Sequence, residues 1–366
     1  MPHTASQHPD PPVHAAGSRV PIDHPLILRS PYTWKIIGAG ESVTAEACMP
    51  GAYVRLRVSG TSAIQLEIDG TAHLGSSAEL MPVIEYQVDA GPLQHLQLPL
   101  VSQRLLVPLA QGLDPASAHA VELMFRAGTL VDRWLTAKPR LRLAGFLLDA
   151  SALVLPTTRR ALNAIGWGDS ITEGVGVDAL FTSWAILEPN NARGTWFPIA
   201  ASALGAEYGQ LGTGGQSMGA HIHGGLPPLT ETWSVYDSSG ASRLREGRLD
   251  PAPDYIFCNM GTNDRTDPSA PYQEWLTQVR TAAPHAHILV VIPINGFWRA
   301  EITALVRQRQ AAGDPQVHLI DCPELQPLAP AQGRPTALAL DGVHPTLLGE
   351  ALFGAAIAVQ TARLTR

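Results

Sequence analysis

The sequence predicts two parts, a jelly-roll-like β-sandwich followed by an α/β domain on a five-stranded parallel sheet. Three observations predict it. The chain has 366 residues, enough for two domains at about 150 residues each. From about Tyr32 to Ala150, short segments of alternating apolar and polar residues recur between turn residues every ten or so positions. After Val154-Leu-Pro-Thr-Thr158 the pattern changes, and short apolar runs alternate with longer helical stretches.

Residues 1–24 read as a disordered tail. MPHTASQHPDPPVHAAGS carries Pro, His and small polar residues where a secretory leader places a basic and then an apolar segment. With three Cys far apart (Cys48, Cys258 and Cys322), too few and too scattered for a disulfide framework or a CxxC metal site, this predicts a cytoplasmic chain.

Residues 25–155 are expected to form the sandwich. Strands are predicted at Trp34 to Ile37, Ala52 to Val58, Ala63 to Ile68, Val83 to Val88, Leu93 to Leu98, Ala120 to Phe125 and Arg140 to Leu148. In Tyr53-Val-Arg-Leu-Arg-Val58 and Ile64-Gln-Leu-Glu-Ile68 the apolar residues recur at period two, so one face is buried and the other wetted. Many short strands at such spacing favour a sandwich.

Residues 156–366 are expected to form the α/β domain. Buried strands are predicted at Ala161 to Trp167, Ala206 to Leu211, Tyr255 to Met260, Ile288 to Ile294 and Val317 to Ile320. Helices are predicted near Trp196 to Leu204, Tyr272 to Ala283, Trp298 to Ala312 and Pro345 to Leu364. Strands alternating with helices argue for a parallel sheet covered on both faces.

Composition narrows the partners. Twenty-five Lys plus Arg against 32 Asp plus Glu give a formal charge of −7 with no basic stripe, which argues against nucleic acid. Uninterrupted apolar stretches run to about 8 residues against the roughly 20 of a membrane span, which argues against a membrane. His221 with His223 and His285 with His287 stand at i, i+2 without a nearby third ligand, so no metal and no cofactor are expected. A small-molecule or oligosaccharide ester remains the expected partner; the oligomeric state stays open.

In parallel sheets the ligand lies at the carboxyl ends of the strands. The residues there are Gly168-Asp-Ser-Ile-Thr-Glu-Gly174, Gly212-Thr-Gly-Gly-Gln-Ser217 and Gly261-Thr-Asn-Asp264. Asp341-Gly-Val-His-Pro345 precedes the last helix. A serine hydroxyl is a weak nucleophile until a base takes its proton, and His344 offers one to Ser170. Asp341, three residues before His344, can fix the imidazole tautomer and stabilise its cation. Activity should then rise as His344 loses its proton. Gly215 N–H, the Asn263 amide and Ser170 N–H are candidate donors to a developing oxyanion.

These four blocks, in this order, resemble those of the SGNH hydrolases, the GDSL-type esterases and lipases. The resemblance covers roughly Leu162 to Arg366. It implies a flavodoxin-like sheet, Ser170 as nucleophile, His344 as base, Asp341 as orienter, and Gly215 and Asn263 as oxyanion donors. Ile171 stands where the family usually has Leu. Gln210 stands where the glycine block often has Asn, which leaves Gly212 and Gly214 open as alternatives to Gly215. The segment Gly51 to Gly70 and the later Ile84-Glu-Tyr-Gln-Val-Asp-Ala-Gly91 are similar to the front domain of two-domain bacterial carbohydrate acetylesterases. The resemblance therefore implies a serine esterase that removes acetyl groups from carbohydrates such as xylo-oligosaccharides.

Three other readings compete. One is a general arylesterase, lipase or thioesterase; another is a carbohydrate-binding protein with an inactive hydrolase half. The third takes Ser217 as nucleophile, because Gly215-Gln-Ser-Met-Gly219 fits a GxSxG elbow. Asp169 and Asp264 are expected to brace their turns. Trp167 and Trp298 are candidate sugar platforms, with Trp184 and Trp233 behind them, because an indole face suits the C–H groups of a sugar ring.

Overall fold

A computed structural model of the chain describes residues 17–73, 76–100, 103–131, 133–135, 140–183, 186–222, 226–328 and 339–365. The N-terminal half holds two antiparallel sheets. One runs Lys35–Ile37, Thr44–Ala47, Leu141–Leu148, Ala63–Asp69, Arg104–Gln111. The other runs Leu153–Leu155, Tyr53–Ser59, Ala118–Ala127, Val83–Val88, Gln94–Gln97. Their inward side chains, among them Val54, Leu56, Ile64, Leu66, Phe125 and Phe146, form one buried cluster. Along Tyr53–Ser59, Val54, Leu56 and Val58 are buried while Arg57 is exposed, as period two demands.

The expected tail is too long. Ser18–Pro21 is a strand paired antiparallel with Leu141–Leu148, with Val20 opposite Phe146 and buried. The remainder of that expectation, residues 1–16, lies outside the described residues. Leu28–Arg29, Thr44–Ala47, Arg104–Gln111 and Leu153–Leu155 are further strands that the period-two reading passes over.

The C-terminal half is built on five parallel strands in the order Ala206–Gly212, Leu162–Gly168, Tyr255–Asn259, His287–Val291, Val317–Ile320. In chain order this is 2-1-3-4-5, the flavodoxin-like arrangement. Successive strand residues feed two cores. Ile165, Trp167, Ile256, Cys258, Ile288 and Val290 pack with Tyr272 and Trp275 of the Ser269–Ala282 helix and Ile302 of the Arg299–Ala311 helix. Ala164, Phe257, Leu289 and Val291 pack on the opposite face with Trp196 of the Trp196–Ala203 helix and Phe353 and Ile357 of the Leu347–Leu364 helix. That last helix, 18 residues with mean hydropathy 1.3, is long and apolar enough to count as a membrane span on composition alone. Its Phe353, Ile357 and Ala358 are instead buried in the core, which accounts for their apolar character.

The halves are tied by charged and hydrogen-bonded side chains. Tyr53 Oη donates to Glu207 Oε2 (2.5 Å), and Arg55 pairs with the same carboxylate. Tyr32 Oη donates to the Pro251 carbonyl (2.6 Å), Lys35 pairs with Asp237 (2.9 Å), and Arg126 joins Glu85 to Asp178.

Candidate active site

The first strand of the parallel sheet ends at Gly168, and the chain turns at once into the short helix Ser170–Glu173. No side chain fits at the turn: a Cβ on Gly168 would lie 1.9 Å from Thr172 Oγ1. The Asp169 carboxylate caps the helix by accepting the Ile171 N–H (3.0 Å), so its expected bracing role stands. Asp169 is fully buried, and desolvation pushes its carboxyl up to about 6 despite that bond and the nearby His344. Ser170 is thereby held at the strand end with its hydroxyl facing the last loop.

That loop supplies the partners. His344 Nε2 lies 2.8 Å from Ser170 Oγ, and His344 Nδ1 lies 2.5 Å from Asp341 Oδ2. Asp341 Oδ1 also accepts the Val343 and His344 backbone N–H groups (2.9 and 2.7 Å). Burial works against the Asp341 charge, but the bonds and charge of His344 and the two N–H donors hold its carboxyl down at about 2. The loop is pinned where the Leu347 N–H donates to the Val177 carbonyl (2.9 Å) and where Thr346 caps the following helix. The three groups expected to act together are in hydrogen-bond contact.

The glycine turn after the second strand lies alongside. The Thr213 N–H donates to the Gly168 carbonyl (3.0 Å), while the Gly214 N–H donates to Glu173 Oε2 (2.7 Å). Gly215 is in the left-handed region (φ 79°), where a side chain would be strained. Among the described residues none accepts the Gly215 N–H. Asn263 Nδ2 donates to the Gln216 carbonyl (3.0 Å), and the Asp264 carboxylate accepts the Met218 N–H, so the third turn anchors the second as expected of Asp264. Of the three glycines left open, Gly214 already has its N–H bound to Glu173.

One expectation needs correction, and one competing reading loses its support. Trp167 is not at the surface: it is 1% exposed and packs edge-on against Trp233 (6.2 Å) and Trp275 (5.7 Å), because its strand position faces the core. Trp233, just after the Leu229–Thr232 helix, is also buried in that core, and Trp184 lies outside the described residues. The Ser217 elbow also fails. Ser217 is 1% exposed and its hydroxyl donates to the Ala220 carbonyl (2.5 Å), a turn bond rather than a histidine contact. Trp298 is half-buried, with Cδ1 3.4 Å from where a Cβ on Gly261 would sit, and so flanks the Asn263 turn.

Other residues at the site escape the sequence reading. Leu130, from the sandwich, has Cδ2 3.0 Å from a Cβ built on Gly214, which itself would lie 3.6 Å from Ser170 Cβ. Phe181 lies 5.7 Å from the His344 ring, centroid to centroid. Gln210, fully buried, donates through Nε2 to the carbonyls of Thr172 (2.6 Å) and Ala192 (3.1 Å). Glu173 is buried in a pair with Arg133. The charged Glu173 inside the Gly168–Gly174 turn, and Gln210 standing where the glycine block often has Asn, are the signals that point to any of these.

Residues 167–352 match the model of the GDSL-like lipase/acylhydrolase family. No curated protein sequence matches the chain. Among solved structures, a family two carbohydrate esterase from Cellvibrio japonicus superposes with a TM-score of 0.74 at 18% identity, covering 95% of this chain and 97% of that one. An acetyl xylan esterase from the rumen bacterium Butyrivibrio proteoclasticus gives 0.71 at 16% identity, covering 94% and 97%. A salicylyl-acyltransferase from a tetracycline biosynthetic pathway gives 0.64 at 18% identity, covering 96% and 98%. The fold of both halves together is thus shared along the whole length of these chains. With the family model spanning more than half of the sequence and its four blocks gathered at one sheet edge, the chain belongs to the GDSL-like lipase/acylhydrolase family and is a carboxylic ester hydrolase.

Proposed function

We propose that the protein is a serine esterase that removes short acyl groups, acetyl above all, from carbohydrates such as acetylated xylo-oligosaccharides. The observation that carries this reading is the chain of contacts Ser170–His344–Asp341, at 2.8 and 2.5 Å. In the proposed reaction His344 Nε2 takes the Ser170 proton as Oγ attacks the ester carbonyl. Asp341 holds the ring by Nδ1 and stabilises the imidazolium. The carbonyl oxygen, now negative, accepts from Ser170 N–H, Gly215 N–H and the second N–H of the Asn263 amide. Such donors commonly supply the largest electrostatic stabilisation of this step. The protonated His344 then gives its proton to the leaving sugar oxygen. Water, deprotonated by the same histidine, frees the acid from Ser170.

Support for a short acyl group comes from Leu130, whose Cδ2 stands 3.0 Å from where a Cβ on Gly214 would sit, beside the proposed oxyanion donor Gly215. Support for a carbohydrate comes from full-length likeness to a carbohydrate esterase and an acetyl xylan esterase. The test is hydrolysis of p-nitrophenyl acetate and acetate release from acetylated xylo-oligosaccharides. We expect turnover of both, abolished in Ser170→Ala and retained in Ser217→Ala. A preference for acyl chains of eight or more carbons, or activity surviving in Ser170→Ala, overturns the reading.

A further inference from the structure

Arg133 belongs to the sandwich, on the 128–135 segment between the Ala118–Ala127 and Leu141–Leu148 strands, yet its guanidinium forks onto both carboxylate oxygens of Glu173. The side chains are 8% and 3% exposed. Burying such a pair costs several kcal/mol of desolvation per ion, so its net gain in stability is about zero. Stability therefore does not account for it. Its placement does. Glu173 closes the helix that starts at Ser170, and its Oε2 accepts the Gly214 N–H, one residue before the proposed oxyanion donor. A carboxylate held from the far side by a planar fork cannot rotate, and the Gly214 peptide it grips cannot rotate either. The same sandwich segment brings Leu130 against Gly214, and Met49 meets Thr213, with Sδ 3.8 Å from its Oγ1. The glycine turn is thus held from outside the domain that contains it.

We infer that Arg133 is a positioning residue supplied by the sandwich: acting through Glu173 and the Gly214 N–H, it sets the glycine turn so that the Gly215 N–H meets the oxyanion. The inference rests on the proposed esterase reaction, and it gives the N-terminal half a task in the chemical step rather than in substrate capture alone. A misplaced donor weakens binding of the transition state and leaves substrate binding nearly unchanged.

The test uses Arg133→Lys, which keeps the charge and loses the fork, and Glu173→Gln, which is nearly isosteric. Each is measured for kcat and KM on p-nitrophenyl acetate and for affinity toward a trifluoromethyl ketone, whose adduct with Ser170 carries an oxyanion. We expect kcat to fall about 10- to 100-fold, less than the 10²–10³ for deleting a donor, with KM within about twofold. Affinity for the ketone should fall by the same factor as kcat/KM. Folded variants with wild-type kcat, or with lower kcat but undiminished affinity for the ketone, overturn the inference. Variants that do not fold also overturn it, because the pair is then structural. Wild-type protein that turns over no ester overturns the esterase reading itself, whereas active wild type with unaffected variants overturns only the role of Arg133.

Discussion

At the scale of single residues, the buried Asp169 and the half-buried Asp341, both near Ser170, respond to pH in opposite senses. Asp341 is held at about 2, below the ordinary 3.8, so its contribution to stability is complete above about 4 and is lost as pH falls through 2. It stays ionised wherever the enzyme is assayed. Asp341→Asn should leave the fold intact and lower kcat by about 10⁴-fold, because the amide favours the wrong imidazole tautomer. Titrating p-nitrophenyl acetate hydrolysis in both proteins checks this. Asp169 is pushed the other way, to about 6. Its protonated form favours the folded state, so that contribution is complete below 3.8 and is lost as pH rises through 6. Asn caps a helix as well as Asp does. Asp169→Asn should therefore gain on wild type between pH 4 and 6.5, by up to about 3 kcal/mol, seen as a growing gap in Tm. A pH-independent gap would refute the assignment.

At the scale of elements, the sequence pattern located what obeys a simple period and missed what tertiary context permits. The Val83–Val88 and Val317–Ile320 strands fall where expected because their apolar runs are bounded by turn residues. Arg104–Gln111 escaped notice because Pro108 argues against a strand; it lies at the sheet edge, where a missing N–H is tolerated. Thr44–Ala47 escaped because Ala and Glu are poor strand formers. Its Glu46 is buried among Arg142, Arg140 and Lys35, which no local pattern reveals. The four polar turns were legible at the site because each carries glycine and a functional side chain within a few residues. Leu130 and Arg133 were not, since they reach Gly214 and Glu173 across 40 or more positions of chain. The 128–135 segment carries its own prediction. Leu130→Ala opens the wall beside Gly214, so the butyrate-to-acetate ratio of kcat/KM should rise about tenfold, as one or two methylenes in an apolar pocket are worth. An unchanged ratio across p-nitrophenyl esters would place the acyl group elsewhere.

At the scale of the whole molecule, the two halves look separable in sequence but not in their contacts. Gln210 belongs to the second strand of the α/β domain and ties the Ser170 turn to the 192–195 segment. The next segment of chain packed there is from the sandwich, since a Cβ on Gly51 would meet the Gln210 side chain at 2.5 Å. Glu207, fully buried at the same strand, has its charge met by Arg55 and its oxygen by Tyr53, both from the sandwich. Removing residues 17–155 would take Tyr32 out of one α/β core and Leu28, Tyr53 and Met124 out of the other, at about 1.5–3 kcal/mol per buried apolar side chain. That sum is comparable to the 5–15 kcal/mol that holds a typical domain folded. The α/β half on its own is therefore expected not to fold, and the full chain is expected to unfold in one step. Thermal melts followed by tryptophan fluorescence and by far-UV circular dichroism should coincide. Trp167, Trp196, Trp233 and Trp275 report chiefly on the α/β cores, and the strands of both halves report in the dichroism. Two separated transitions, or a soluble and active 156–366 fragment, would show that the packing between the halves is dispensable for folding.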